Sequence, residues 1–298
     1  MNGPIISAVG HVALRVTDLD SALWTATHVM GLREVERVGD WVYLTHGAEH
    51  HSLQLAAGDV DALDHIGLEA NGPGGLQELR KRLEAESIPL VSDAPLDEAI
   101  ADGLAFQGPE GFTFEVYTGM RHDQPRYAPT GIRPTRFGHV NLYVADPAGL
   151  VAFLQRVLDF RISDHVGAGA FLRCNVDHHG IGVGQAEPAR IHHMAWEVEG
   201  IADLARLGDV LDDHDRHLVW GPVRHGVGRN IAAYFVDFGP LIVEYYSDMQ
   251  RIYDEATFEP GRWEREDPRF FSLWTRHDLG DFREHGLVPV VREPAGQA

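Results

Sequence analysis

One pattern of histidine and glutamate residues occurs twice in this chain. The first copy consists of His11, His51, His65 and Glu115, and the second of His139, His179, His193 and Glu244. The histidines of the two copies are 128 residues apart, and the glutamates 129. Matching side chains at a nearly constant offset predict a duplicated fold, and 298 residues are enough for two domains of ordinary size.

The repeated residue types point to metal binding. Two histidines and one carboxylate on a rigid scaffold are the ligand set of a mononuclear non-haem iron site. In the second copy, His139, His193 and Glu244 each lie in a strand-like run. A strand exposes alternate side chains on one face, so three such strands could direct their ligands to one point. Zn(II) fits this ligand set less well, although hydrolytic zinc sites can use it.

Composition narrows the class of protein. The chain has 25 basic and 45 acidic residues, and the net charge of −20 disfavours nucleic acid and anionic membranes as partners. The single cysteine, Cys174, cannot form an intrachain disulfide, which fits a reducing compartment. The sequence shows no signal peptide and no run of roughly 20 apolar residues. We therefore expect a cytoplasmic protein.

The hydrophobic pattern predicts an α+β fold. Residues 8–16 and 137–145 alternate as strands, and Asp18 and Asp146 are expected to begin the helices that follow. Each half reads as two successive β-α-β-β-β modules that form a curved mixed sheet around a central cavity. The predicted parts are an N-terminal domain (1–122), a linker (about 120–134), a C-terminal domain (135–248) and a tail (249–298) that could cover the active site.

Two of the histidine positions in the second copy are ambiguous, because each belongs to an HH pair. We assign His193 rather than His192, since its spacing matches His65, and His179 rather than His178, since it aligns with His51. If both pairs lie in strands, the two rings of a pair point to opposite faces. His178 and His192 are then not expected to share the ligand role of their neighbours.

The most specific stretch is VRHGVGRNIAAYFVDFGPLIVE, residues 223–244. It resembles the type I extradiol catechol dioxygenases of the vicinal-oxygen-chelate superfamily, and the resemblance extends over nearly the whole chain as a two-domain architecture. In that family a histidine, a tyrosine and a metal-ligating glutamate recur in this order, here His225, Tyr234 and Glu244. The resemblance implies His139 and His193 as the metal histidines. It implies His179 as a residue that handles protons and bound oxygen.

The same resemblance implies a function. It predicts an Fe(II)-dependent enzyme, with Mn(II) able to use the same ligands, that inserts both atoms of O2 into a catechol-type diol. The diol could be substituted or bicyclic, and the product would be a ring-opened semialdehyde acid of aromatic degradation. Related proteins often form homo-oligomers. The alternatives are a metal-dependent, glyoxalase-like isomerase or lyase, and a non-catalytic binding protein; an intact triad disfavours the latter.

Only the second copy is predicted to be catalytic. His225 and Tyr234 precede Glu244 by 19 and 10 residues, and the corresponding first-half positions are Leu96 and Ala105. The first half therefore has a ligand-like set without the His/Tyr pair. Whether His11, His65 and Glu115 bind a metal is left open by the sequence.

Overall fold

The computed structural model of the protein describes residues 4–127, 130–275, 279–290 and 292. In the first half, strands β1 to β8 are Ile6–Val16, Arg33–Val38, Trp41–Thr45, Leu53–Ala57, Ala62–Ala70, Leu90–Ser92, Ile100–Gln107 and Thr113–Met120. In the second half, β9 to β16 are Arg136–Val144, Arg161–Val166, Gly169–Arg173, Ile181–Gln185, Arg190–Glu197, Trp220–Arg224, Ile231–Asp237 and Leu241–Ser247. A short strand of the tail, β17, is Gly261–Trp263.

Each half also contributes two α-helices. Helices α1 to α4 are Leu19–Trp24, Gly72–Ala85, Pro147–Leu158 and Ile201–Asp212, and α1 continues into a π-helical turn at Thr25–Val29. Short 3-10 turns occupy Pro109–Gly111, Pro268–Phe270 and Phe282–Glu284. Within the part of the chain that the structure describes, no helix has the length and apolar character needed to cross a membrane.

The predicted helix starts are confirmed. The Asp18 side chain accepts a hydrogen bond from the Ser21 amide at 2.9 Å, and Asp146 accepts one from the Gly149 amide at 3.0 Å. Each aspartate thereby pairs one of the amides that the first helical turn leaves without a partner. Pro147 occupies the first position of α3, where a missing N–H costs nothing.

The two sheets have the same topology. The first has the strand order β2-β3-β4-β1-β5-β8-β7-β6, and the second, read in the corresponding direction, β10-β11-β12-β9-β13-β16-β15-β14 with β17 added beside β10. In both, the first strand of one module pairs antiparallel with the first strand of the next (β1 with β5, β9 with β13). Each of these strands also pairs in parallel with the last strand of its own module. The predicted α+β class with mixed sheets is confirmed.

A common apolar core joins the two halves. Phe153 of α3 packs against Phe106 and Phe114 of the first sheet, with ring centroids 6.2 and 6.4 Å apart. Buried residues of all four α-helices belong to this one core. The domain boundaries 1–122 and 135–248 stay a prediction.

The tail runs along both sheets. Gly261–Trp263 pairs in parallel with β10, Leu287 forms a bridge with Ile191, and Pro289 forms one with Leu63. A second apolar cluster joins Phe282 of the tail to residues of β13, β14, β15 and β16. Parts of the predicted tail (276–278, 291 and 293–298) and of the predicted linker (128–129) lie outside the described residues.

Candidate metal centre and active site

Three ligand-type side chains of the second sheet converge on one point. His139 lies on β9, His193 on β13 and Glu244 on β16, and β13 lies between the other two strands. His139 Nε2 and His193 Nε2 each lie 3.2 Å from Glu244 Oε2. All three residues are buried, and their ligand atoms form one of the clusters that could hold a metal ion.

This donor set fits a divalent cation. Burial alone would raise the pKa of Glu244, but His139 beside it holds that pKa below its usual value. Burial lowers the pKa of His193 well below its usual value, and His192 lowers it further. A carboxylate and a neutral imidazole are the forms that bind metals. The ligand roles of His139, His193 and Glu244 stay a prediction.

Hydrogen bonds fix which nitrogen of His193 faces the centre. The Phe282 carbonyl can only accept a hydrogen bond, so His192 donates to it from Nε2 at 2.7 Å. Nδ1 of His192 therefore carries no proton. His193 then donates from Nδ1 to His192 Nδ1 at 2.8 Å. The lone pair of His193 consequently resides on Nε2, which points to Glu244. Such outer partners orient ligands and tune the metal.

A second chain of hydrogen bonds determines which nitrogen of His179 carries the proton. His178 Nε2 lies 3.1 Å from Asp164 Oδ2 and donates to that carboxylate, so His178 Nδ1 can accept from His179 Nδ1 at 3.1 Å. His179 therefore has its lone pair on Nε2. Burial lowers the pKa of His179 well below its usual value, and His139 adds to this effect. His179 is thus a neutral imidazole beside the centre, with a nitrogen able to accept a proton.

His225 and Tyr234 form a coupled pair at the same site. His225 donates from Nδ1 to the Phe271 carbonyl at 2.5 Å, so its Nε2 accepts from the Tyr234 hydroxyl at 2.6 Å. Burial and the negative charge of Glu244 raise the pKa of Tyr234 well above its usual value. The tail therefore takes part in the site through a backbone carbonyl. The Tyr234 hydroxyl stays protonated and keeps its lone pairs available.

The ligand atoms and these side chains line one pocket. Its lining includes His179, His225 and Tyr234, together with the aromatic rings Phe171, Phe270 and Phe271. An adjoining cavity of about 320 Å³ shares Asn141 and the three phenylalanines with it. The pocket at the centre has a volume of only about 40 Å³, and space continues beyond it in the adjoining cavity.

His178 and His192 do not belong to the described cluster of His139, His193 and Glu244, and their exclusion from the ligand role stays a prediction. His192 lies at a register shift between β13 and β9, His178 lies in a bend, and His179 lies outside the strands. In both pairs the rings contact each other instead of pointing to opposite faces. The repeat indicates these contacts, because His178 and Asp164 correspond to His50 and Glu36 at the 128-residue offset. His50 likewise contacts a carboxylate, Glu36, and its neighbouring histidine.

Asn230 is a site residue that the sequence reasoning missed. Its Nδ2 donates to Glu244 Oε1 at 3.0 Å, and the residue is buried. The first half uses a backbone amide instead, as Leu96 N–H donates to Glu115 Oε1 at 2.7 Å. Asn230 has no counterpart in the repeat, so the offset could not reveal it.

Asn230→Ala is expected to weaken metal binding at the second-half centre by about 10-fold to 100-fold, the usual effect of losing an outer partner of a ligand. Glu244 would then lose the donor that orients its carboxylate. The measurement is a titration of metal-free protein with Mn(II). Asn71→Ala, an exposed first-half change, is the control. Equal affinities for the two variants would show that Asn230 does not position Glu244.

Comparison with known proteins agrees with this geometry. Residues 136–242 match the Glyoxalase/Bleomycin resistance protein/Dioxygenase superfamily. A manganese-dependent 2,3-dihydroxybiphenyl 1,2-dioxygenase of Geobacillus genomosp. 3 is 27% identical over 297 residues, which cover 90% of this chain and 93% of the relative.

Solved structures share the fold over nearly the full chain. Homoprotocatechuate 2,3-dioxygenase of Arthrobacter globiformis superposes with a TM-score of 0.88 at 20% identity, covering 97% of this chain and 94% of its own. A Mn(II)-bound glyoxalase of Novosphingobium aromaticivorans gives 0.85 at 25% identity, covering 98% and 97%. The fold is therefore common to two reaction classes, and the side chains of the site must decide between them.

Proposed function

We propose that this chain, whose residues 136–242 match the Glyoxalase/Bleomycin resistance protein/Dioxygenase superfamily, is an extradiol ring-cleaving dioxygenase acting on a catechol-type diol. The observation that carries the proposal is the set of His179, His225 and Tyr234 around the three converging ligand atoms. Two neutral imidazoles and one phenol can accept and donate the protons of a diol.

The resident metal is proposed to be Fe(II), held by His139, His193 and Glu244, with Mn(II) as the alternative ion. Two histidines and a carboxylate with open positions are typical of Fe(II) oxygenases. The manganese-dependent relative supports the alternative. When bound, the ion would supply neighbouring positions for the diol and O2 and a route for electrons between them.

His179 is proposed as the proton carrier. Its neutral imidazole has the Nε2 lone pair available, because His178 already accepts the Nδ1 proton. On substrate binding, His179 Nε2 would accept the proton of one diol hydroxyl. It would return that proton as the ring-opened product forms. A positioned acid/base group of this kind contributes about 10²-fold to 10⁴-fold in rate.

Tyr234 is proposed to hold the second hydroxyl of the diol. The tyrosine donates its own proton to His225, so its oxygen can accept from a substrate hydroxyl. Because the pKa of Tyr234 is raised, its hydroxyl stays protonated and adds no second negative charge beside the deprotonated diol. The substrate would thus bind as a monoanion, with one proton on His179 and the other shared with Tyr234.

The proposed reaction adds both atoms of O2 to the diol. The bond that breaks is the ring carbon–carbon bond between a hydroxyl-bearing carbon and its neighbour outside the diol. The product is a semialdehyde acid. The aromatic lining of the pocket suits the flat ring, and the adjoining cavity of about 320 Å³ suits a ring substituent or a second ring.

Oxygen uptake tests the proposal. Metal-free protein reconstituted with Fe(II), and separately with Mn(II), is mixed with a panel of monocyclic, substituted and bicyclic catechols. We expect one O2 consumed per diol and a new long-wavelength absorbance. The Mn(II)-bound glyoxalase neighbour makes the isomerase the second candidate. Turnover of a glutathione hemithioacetal under nitrogen, without oxygen uptake on any catechol, would establish that reading instead.

A further inference from the structure

The first sheet contains a second ligand cluster with nearly the same geometry. His11 of β1, His65 of β5 and Glu115 of β8 occupy the strands that correspond to those of the second-half centre. His11 Nε2 lies 3.2 Å from Glu115 Oε2 and 3.2 Å from His65 Nε2, and His65 Nε2 lies 3.6 Å from Glu115 Oε2. Three metal-binding atoms thus face one point.

This cluster is deeply buried. His11 and Glu115 are 0% exposed and His65 2%. Glu115 Oε2, the oxygen that faces both imidazoles, has no well-aligned hydrogen bond among the described residues, although His11 Nε2 lies 3.2 Å from it. A buried carboxylate without well-aligned hydrogen bonds is costly, and a cation between the three groups would offset that cost.

The outer contacts of the cluster hold its ligand atoms toward the same point. His65 donates from Nδ1 to Asp64 Oδ1 at 2.9 Å, which leaves the lone pair on Nε2. Asp64 is itself held by Arg15 at 3.0 Å and by Arg292. A carboxylate behind a histidine is the usual support of a metal ligand. Asp64 occupies the position that corresponds to His192 in the second half.

The first-half cluster lacks counterparts of two groups that line the second-half centre. Ala105 pairs with Glu115 on the neighbouring strand, as Tyr234 pairs with Glu244, so a methyl group replaces the phenol. The Gln54 amide donates to His51 Nε2 at 2.8 Å, which occupies the lone pair that His179 keeps free. The described residues around the cluster thus supply ligands, but none of them stands where Tyr234 does, and the free Nε2 of His179 has no counterpart.

We propose that His11, His65 and Glu115 bind a second divalent first-row transition-metal ion, which ties β1, β5 and β8 together without turning over substrate. A cavity of about 120 Å³ lined by His65, Asp64, Gln54 and Leu96 gives the ion a way in. An ion that binds only the folded state stabilises it by mass action. The proposal does not depend on the reaction at the second-half centre.

Metal counting tests this proposal without an activity assay. Metal-free full-length protein is titrated with Mn(II) while the signal of free Mn(II) is followed by electron paramagnetic resonance. The expected stoichiometry is two ions for the wild type, one for Glu115→Gln, one for Glu244→Gln and none for the double variant. Mn(II) should also raise the Tm of Glu244→Gln but not that of the double variant.

One ion in the wild type and none in Glu244→Gln would overturn the proposal, since the first-half cluster would then be held by hydrogen bonds alone. Glu244→Gln leaves every first-half residue intact, so its result stands even where Glu115→Gln fails to fold. One ion bound to Glu244→Gln supports the second site directly.

Discussion

Glu244→Gln is expected to lower ring-cleaving turnover by at least about 10³-fold, equal to a loss of about 4 kcal/mol of transition-state stabilisation. Glu244 is the only anionic member of the second-half set, and its Oε2 faces both histidines. An amide has nearly the same shape but no charge, so the two imidazoles would bind the ion weakly. The measurement is oxygen uptake with the best catechol, alongside the metal content of the variant.

The control for this change is Glu199→Gln, an exposed substitution just beyond β13. It removes the same charge from the same half of the chain and should leave oxygen uptake within about twofold of the wild type, as surface substitutions usually do. Full turnover by Glu244→Gln would mean that the reaction does not use this centre. Loss of activity with unchanged metal content would place the role of Glu244 in substrate binding instead.

The repeat made much of the fold predictable. Residues that share a strand position in both halves, such as His11 and His139, keep their offset because the intervening strands and helices have nearly equal lengths. The helix starts at Asp18 and Asp146 were also readable, since a capping carboxylate acts on amides only three residues away. Local and periodic information was therefore enough for the modules.

Features that depend on distant or irregular backbone were not predictable. The Phe271 carbonyl that fixes His225 comes from a tail without a counterpart in the first half, and a carbonyl carries no side-chain signal. The Phe282 carbonyl fixes His192 in the same way. The contacts within the two HH pairs arise from a register shift and a bend, which a simple alternation of faces misses.

The second large effect is expected for His179→Asn, which should lower turnover by about 10²-fold to 10⁴-fold while leaving metal content unchanged. His179 touches no ligand atom through a hydrogen bond, but its bare Nε2 lies in the pocket as a proton acceptor. Asparagine keeps a polar group of moderate size and cannot take up a proton near neutrality. Oxygen uptake and metal content are measured on the same preparations.

The first half offers a matched control for this change. His51 has the same neighbouring histidine contact as His179, yet its Nε2 is occupied by Gln54. His51→Asn should therefore keep turnover close to that of the wild type, with folding checked by circular dichroism. A loss of activity in His51→Asn equal to that in His179→Asn would show that both effects arise from general destabilisation.

The proposed role of His179 predicts how turnover changes with pH. A proton acceptor works only in its neutral form, and burial places the folded pKa of His179 well below 6.5. Wild-type kcat should therefore hold as the pH falls to 6.5 and decline only at lower pH, as His179 becomes protonated. Metal content must be followed at each pH, because protons also displace metals from histidines. If His179→Asn keeps the same acid decline at constant metal content, another group carries the proton.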